Sequence, residues 1–159
     1  MRTTDPLRVA ALVACLALAG CGGGGSAPQP AQPAPPPADL HVGDLHVRAT
    51  AVNTMALPEK VTRGYGIARG EQTWMLLVVV RRGPEGQDVA VPAQVEASAR
   101  DLQGRRIEIP LRELRTGDGL VDNVGTFSIT PPDTVQFTVQ VTAANAPTQT
   151  LAFAREITR

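Results

Sequence analysis

Cysteine is scarce in this chain. It occurs at Cys15 and Cys21 only, both inside an N-terminal stretch that reads as an export signal. The remainder has no thiol to pair, so a domain folded outside the cytoplasm must rest on its hydrophobic core and not on disulfides. Histidine is equally rare, at His41 and His46. With two histidines, no Gly-x-Ser-x-Gly elbow, and no Lys-Ser/Thr after Gly64-Tyr65-Gly66, neither an oriented nucleophile nor a phosphate loop is readable. No catalytic residue, cofactor or metal site is therefore expected, and the chain is not expected to be an enzyme. The aromatics are Tyr65, Trp74, Phe127, Phe137 and Phe153, too few for a base-stacking platform or a sugar-binding cleft. An excess of charge is missing too. Taking Arg2, Arg8 and Asp5 of the leader from 15 basic and 15 acidic residues leaves a net of −1. Such a balance supplies no broad field to gather nucleic acid or anionic lipid.

A long apolar run is also lacking. Residues 9–19 (VAALVACLALA) are almost purely apolar, but eleven residues of helix span only about 16 Å, and a membrane crossing needs about 20 residues. After the charged start at Arg2 and Arg8, this is the apolar core of a signal peptide. The four residues Leu18-Ala19-Gly20-Cys21 resemble the bacterial lipobox, in which small residues precede a lipid-bearing cysteine. Ordinary cleavage after Ala17-Leu18-Ala19, leaving Cys21 as a free thiol, is the competing reading. The lipobox predicts a signal peptide over residues 1–20, lipidation at Cys21, and a membrane partner reached through that lipid. Gly22, where inner-membrane retention uses Asp, points to the outer membrane with the domain facing the periplasm. Residues 22–38 (GGGGSAPQPAQPAPPPA) follow as a Gly/Pro-rich tether, biased to polyproline II and unable to bury a core.

Residues 39–159 are long enough for one core and alternate with period two. Leu45, Val47, Ala49 and Ala51 share a face. Residues 73–80 (TWMLLVVV) form a continuous run, as in a central strand covered on both faces. Alternation returns at Val89–Ala97, at Ile107, Ile109 and Leu111, at Val124–Ile129, at Val135–Val141 and over residues 149–157, with Gly, Pro and Asp between the segments. The expected fold is an all-β, immunoglobulin-like β-sandwich of about seven antiparallel strands. One short helical insert interrupts it near Pro58-Glu59, with Pro58 in the first helical position, Val61 and Tyr65 four apart, and Gly64 and Gly66 able to end it.

The His-containing strand Leu45-His46-Val47, the Pro-led insert, Tyr65-Gly66-Ile67-Ala68-Arg69 and the apolar strand after it resemble a bacterial family of small exported proteins, domain of unknown function 4426. The resemblance covers roughly residues 44–159 and is most specific from Leu57 to Arg69. It implies a fold and a compartment, but no activity.

Two functions from different classes remain. The first is a non-catalytic protein-interaction module of the cell envelope, with Arg63, Tyr65 and Arg69 of the insert as candidate contacts, since Tyr and Arg are favoured at binding hot spots. The second is a small-ligand or metal-binding periplasmic protein built on the repeat Asp39-Leu40-His41-Val42 and Asp44-Leu45-His46-Val47. An odd spacing along one strand puts His41 and His46 on opposite faces unless Gly43 makes a bulge, which disfavours shared ligation.

Overall fold

Period-two alternation becomes ten antiparallel strands in two facing sheets in the computed structural model, which describes residues 36–84, 86–116 and 119–158. The signal segment, Cys21 and the stretch to residue 35 lie outside the described residues. The first sheet runs β1 (Ala38–Val42), β2 (Leu45–Asn53), β3 (Thr73–Arg82), β8 (Leu120–Ser128) and β7 (Arg112–Thr116), with the two-residue β4 (Val89–Ala90) paired to the end of β3. The second runs β10 (Gln149–Ile157), β9 (Asp133–Ala143), β5 (Ala93–Arg100) and β6 (Arg106–Ile109). The all-β sandwich expected from the sequence is thus the fold, and the seven expected segments are present. The larger strand count has two causes. The chain pairs on both sides of Val91-Pro92 and of Pro110-Leu111, but with different sheets on each side. Ala38–Val42, taken as part of a repeated strand start, is a strand of its own.

Inward positions of both sheets build one core. Val47 and Ala49 of β2, Leu76, Val78 and Val80 of β3, and Val135, Phe137, Val139 and Val141 of β9 are buried within it. The few aromatics are concentrated there: Phe137 stacks on Phe153 at 4.8 Å and meets the edge of Phe127 at 5.4 Å. The expectation that residues 73–80 are covered on both faces holds for half of the strand. Leu76 and Val78 enter the core, and Met75 is buried on the outer face, as is Val124 of β8, which stands opposite Leu77. Leu77 and Val79 are half-buried.

The outer-face cover comes from the insert between β2 and β3. A 3₁₀ turn (Thr54–Ala56) leads to α1 (Glu59–Gly64). Pro58 caps the helix from just outside it, one position earlier than its sequence signal places it. The end is a Schellman motif: Gly66, at φ +59°, donates to the Arg63 carbonyl at 3.0 Å, and Ile67 donates to the Thr62 carbonyl at 2.8 Å. Of the Val61–Tyr65 pair, Tyr65 is half-buried. Val61 is exposed, and Thr62 is turned in, its hydroxyl donating to the Glu59 carbonyl at 3.1 Å.

Candidate functional site

The end of β2 borders a concavity. Asn53 closes the strand twice over: its side-chain oxygen accepts from the Met55 N–H at 2.8 Å, and its amide donates to the Glu71 carbonyl at 2.7 Å. Thr54, fully buried, ties the turn to the chain entering β3. Its hydroxyl accepts from the Gly70 N–H at 3.0 Å and lies 3.0 Å from the Thr73 carbonyl, to which it donates. With Asn53 and Thr54 pinned inward, Met55 is pushed out and is 48% exposed. Beside it a groove of about 750 Å³ is lined by Met55, Ala56, Trp74 and Pro131, with Asn53, Glu71, Gln72, Thr130 and Thr158 as its polar groups. The only tryptophan of the chain packs its ring against the core at this position. Its indole N–H is buried and has no hydrogen-bond partner among the described residues. A buried donor without an acceptor is costly, so this N–H is a local penalty in the packing of the strand end.

Of the three insert residues singled out from the sequence, Arg63 and Arg69 meet at Glu59, at 3.2 and 3.8 Å, while the Tyr65 hydroxyl is directed to β8. Arg69 turns back on the fold. Its guanidinium donates to the Met55 carbonyl at 2.8 Å and to the Thr54 carbonyl at 3.3 Å, so it fixes the turn that presents Met55. Tyr65 is half-buried and donates its hydroxyl to the Asp122 carboxylate at 3.0 Å, while its backbone carbonyl receives the Arg112 guanidinium. Partial burial, and then Asp122, push the Tyr65 phenol above its ordinary pKa. Arg63 is exposed and pairs with Glu59 one turn before it at 3.2 Å. The arginine pairs at the strand ends also hold carboxylates: Arg81 with Asp88, Arg82 with Asp44, Arg105 with Asp101 and Arg106 with Glu108. Sequence reasoning missed Met55, Trp74 and Pro131. The readable signal was Asn53-Thr54 after a strand, a pair that favours turns and caps.

At the other end of β2 the geometry of the histidines corrects the sequence reading. Gly43 and Asp44 form a two-residue turn, Gly43 at φ +61°, and β1 folds back on β2. The repeat is therefore two strands and not one. His41 stands directly opposite His46, on the same face, with ring centroids 4.4 Å apart and planes inclined at 61°. Among the described residues no cluster of three or more His, Cys, Asp or Glu is placed to hold a metal ion.

A family model described as a domain of unknown function, DUF4426, matches residues 40–158. Among solved structures, the chain is similar to a DUF4426 family protein from Pseudomonas aeruginosa, with 30% identity, 77% of this chain and 94% of that chain covered, and a TM-score of 0.65. It is also similar to a copper-bound variant of FetP from uropathogenic Escherichia coli strain F11, at 10% identity, 76% and 95% coverage and a TM-score of 0.53. The as-isolated FetP of the same strain gives 9% identity, 77% and 95% coverage and the same TM-score of 0.53. At those identities the FetP likeness is one of fold alone. No curated protein matches the chain.

Proposed function

The chain belongs to the DUF4426 family, and from that premise we propose that it is a non-catalytic interaction module of the bacterial cell envelope. Lipid on Cys21 anchors it, and the sandwich faces the periplasm from the outer membrane. The lipobox Leu18-Ala19-Gly20-Cys21 and the Gly/Pro tract after it support this address.

The groove beside Met55 and Trp74 carries the interaction reading. Its volume falls in the range of sites that bind drug-sized or peptide segments, about 300–1,000 Å³. Its apolar surface comes from Met55, Ala56, Trp74 and Pro131, and Gln72 and Thr158 supply polar groups. The occupant that fits is an extended peptide segment of an envelope protein. Such a segment brings an apolar side chain for the floor and, at every residue, a backbone amide for the Gln72 and Thr158 side chains. Arg69 acts here as a positioning residue, holding the carbonyls of Thr54 and Met55, while Met55 and Trp74 make the contact.

A photo-crosslinking side chain placed at Met55 in native cells tests this. The expected result is one discrete protein adduct that disappears in a Trp74→Phe background, which replaces the indole of the groove lining with a smaller ring. The same probe at Val89, exposed near the opposite end of β3, should give none. Equal adducts from both positions, or an adduct indifferent to Trp74→Phe, would overturn the docking reading.

A further inference from the structure

We propose that His41 and His46 form a two-imidazole site for a divalent transition-metal ion, with Cu²⁺ its tightest occupant. The site lies at the far end of the sandwich from the groove and does not depend on it.

The turn fixes the geometry. Gly43 lies at φ +61° and Asp44 lies outside the left-handed region, the pattern of a II′ hairpin turn. Val42 faces Leu45 across that turn, and His41 faces His46 next. In a two-residue hairpin the residues flanking the turn exchange the ladder hydrogen bonds. The pair beyond them is then the non-hydrogen-bonded kind, in which facing side chains stand closest. The ring-centroid separation of 4.4 Å agrees. It brings two imidazoles within the span of one metal ion without moving the backbone.

The ligands are also free to bind. Among the described residues neither imidazole has a hydrogen-bond or ion-pair partner; their recorded contact is with each other. His41 is exposed and His46 half-buried, so the site opens to solvent. The neighbouring charges do not repel a dication. Asp39 and Arg48 lie on the same face and are paired at 2.6 Å; Arg81, opposite His46 on β3, is paired with Asp88 at 3.4 Å. Each nearby cation thus has a carboxylate beside it. Imidazole suits Cu²⁺, Ni²⁺ and Zn²⁺, and for a given nitrogen site Cu²⁺ binds tightest of the three. With two protein ligands, water fills the remaining positions, so the site is open and exchangeable and differs from the closed four-ligand kind that builds a fold. The ion also cross-links β1, an edge strand whose one sheet neighbour is β2.

The test is a titration of the full chain, purified from membranes in detergent, with Cu²⁺ alone, followed by calorimetry and by electron paramagnetic resonance. The expected result is one ion per chain, with hyperfine splitting from two nitrogen ligands. Loss of an outer partner of a ligating histidine already costs about 10–100-fold in affinity, so His46→Gln should weaken binding by at least about tenfold. His41→Phe keeps an aromatic pair across the hairpin while removing the donor nitrogen. It should lose binding to the same degree while its circular dichroism stays that of wild type. Zn²⁺ and Ni²⁺ should bind more weakly at the same site. Saturable Cu²⁺ binding that is unchanged in the His41→Phe/His46→Gln double variant overturns the proposal. So does the absence of saturable binding in the wild-type chain, where the pair is then an aromatic packing contact.

Discussion

Replacing Tyr65 by Phe removes one oxygen and tests how the insert is held to the sandwich. The hydroxyl donates to Asp122 of β8 at 3.0 Å across a sequence separation of 57 residues, so this bond, beside that of the Arg112 guanidinium to the Tyr65 carbonyl, links the insert to the first sheet. A hydrogen bond to a charged partner contributes about 1.5–3 kcal/mol when desolvated. Tyr65 is only half-buried, and solvent competes for Asp122, so about 1 kcal/mol is the reasonable figure here. For a domain of this size that lowers the melting temperature by roughly 3–5 °C. Tyr65→Ala also loses ring packing and should cost about 2–3 kcal/mol, less than a fully buried aromatic. The pH dependence has a definite sign. The phenol of the folded state holds its proton above the ordinary tyrosine value, first through burial and then through Asp122. Above about pH 10 the unfolded chain gives up that proton while the folded one keeps it, so the unfolded state binds fewer protons and stability falls as pH rises. Below that pH the contribution is present in full. As Tyr65 is the sole tyrosine, near-ultraviolet absorbance reads its titration directly. Thermal melts of wild type and Tyr65→Phe between neutral and alkaline pH should converge as pH climbs. If the phenol titrates at its ordinary value and Tyr65→Phe melts with the wild type at neutral pH, the hydroxyl is not the anchor.

Three further outcomes follow from the sequence and the packing. Cys21→Ala should abolish fatty-acid incorporation and release the protein from the membrane fraction; incorporation equal to wild type would exclude lipidation at this cysteine. Thr54→Val keeps the shape of a fully buried side chain but strips the partner from the Gly70 N–H and the Thr73 carbonyl, a loss of about 1–3 kcal/mol readable by chemical denaturation. Glycines at two positions should respond with opposite sign. In Gly125→Ala the new methyl would lie 2.6 Å from the Pro110 carbonyl oxygen and 2.9 Å from the Ile109 side chain, an overpacking that costs about 1–3 kcal/mol. In Gly64→Ala it would meet open space at the end of α1 and should stabilise by about 0.5–1 kcal/mol, so a drop in melting temperature there would contradict the packing around the insert.

The alternation that makes this sandwich legible in the sequence also conceals how it is wired. Val89 to Ala97 reads as one strand, yet Val89 and Ala90 pair with β3 in the first sheet and Ala93 onward pairs with β9 in the second. Ile107, Ile109 and Leu111 likewise read as one face, yet the chain leaves β5 for β8 at Pro110. In both places a proline sits at the crossing, where its missing N–H ends one ladder without leaving a donor unpaired. The inward pattern survives because both sheets face the same core, so hydrophobicity reports the core and is silent about which sheet is paired. The histidine hairpin shows the complementary case. Spacing along a single strand separates His41 from His46, and a two-residue turn between them reverses the conclusion; Gly43-Asp44 was the signal, a Gly-led pair in which Gly43 separates two copies of Asp-Leu-His-Val. For the groove, the readable pair Asn53-Thr54 marks one turn of the lining and not the rest. Its lining comes from the turn after β2, the entry to β3, the loop before β9 and the chain end after β10, four segments brought together only by the closing of the two sheets. Local pattern therefore fixes what each segment buries, whereas a surface assembled from strand ends depends on register and on which sheet each strand joins.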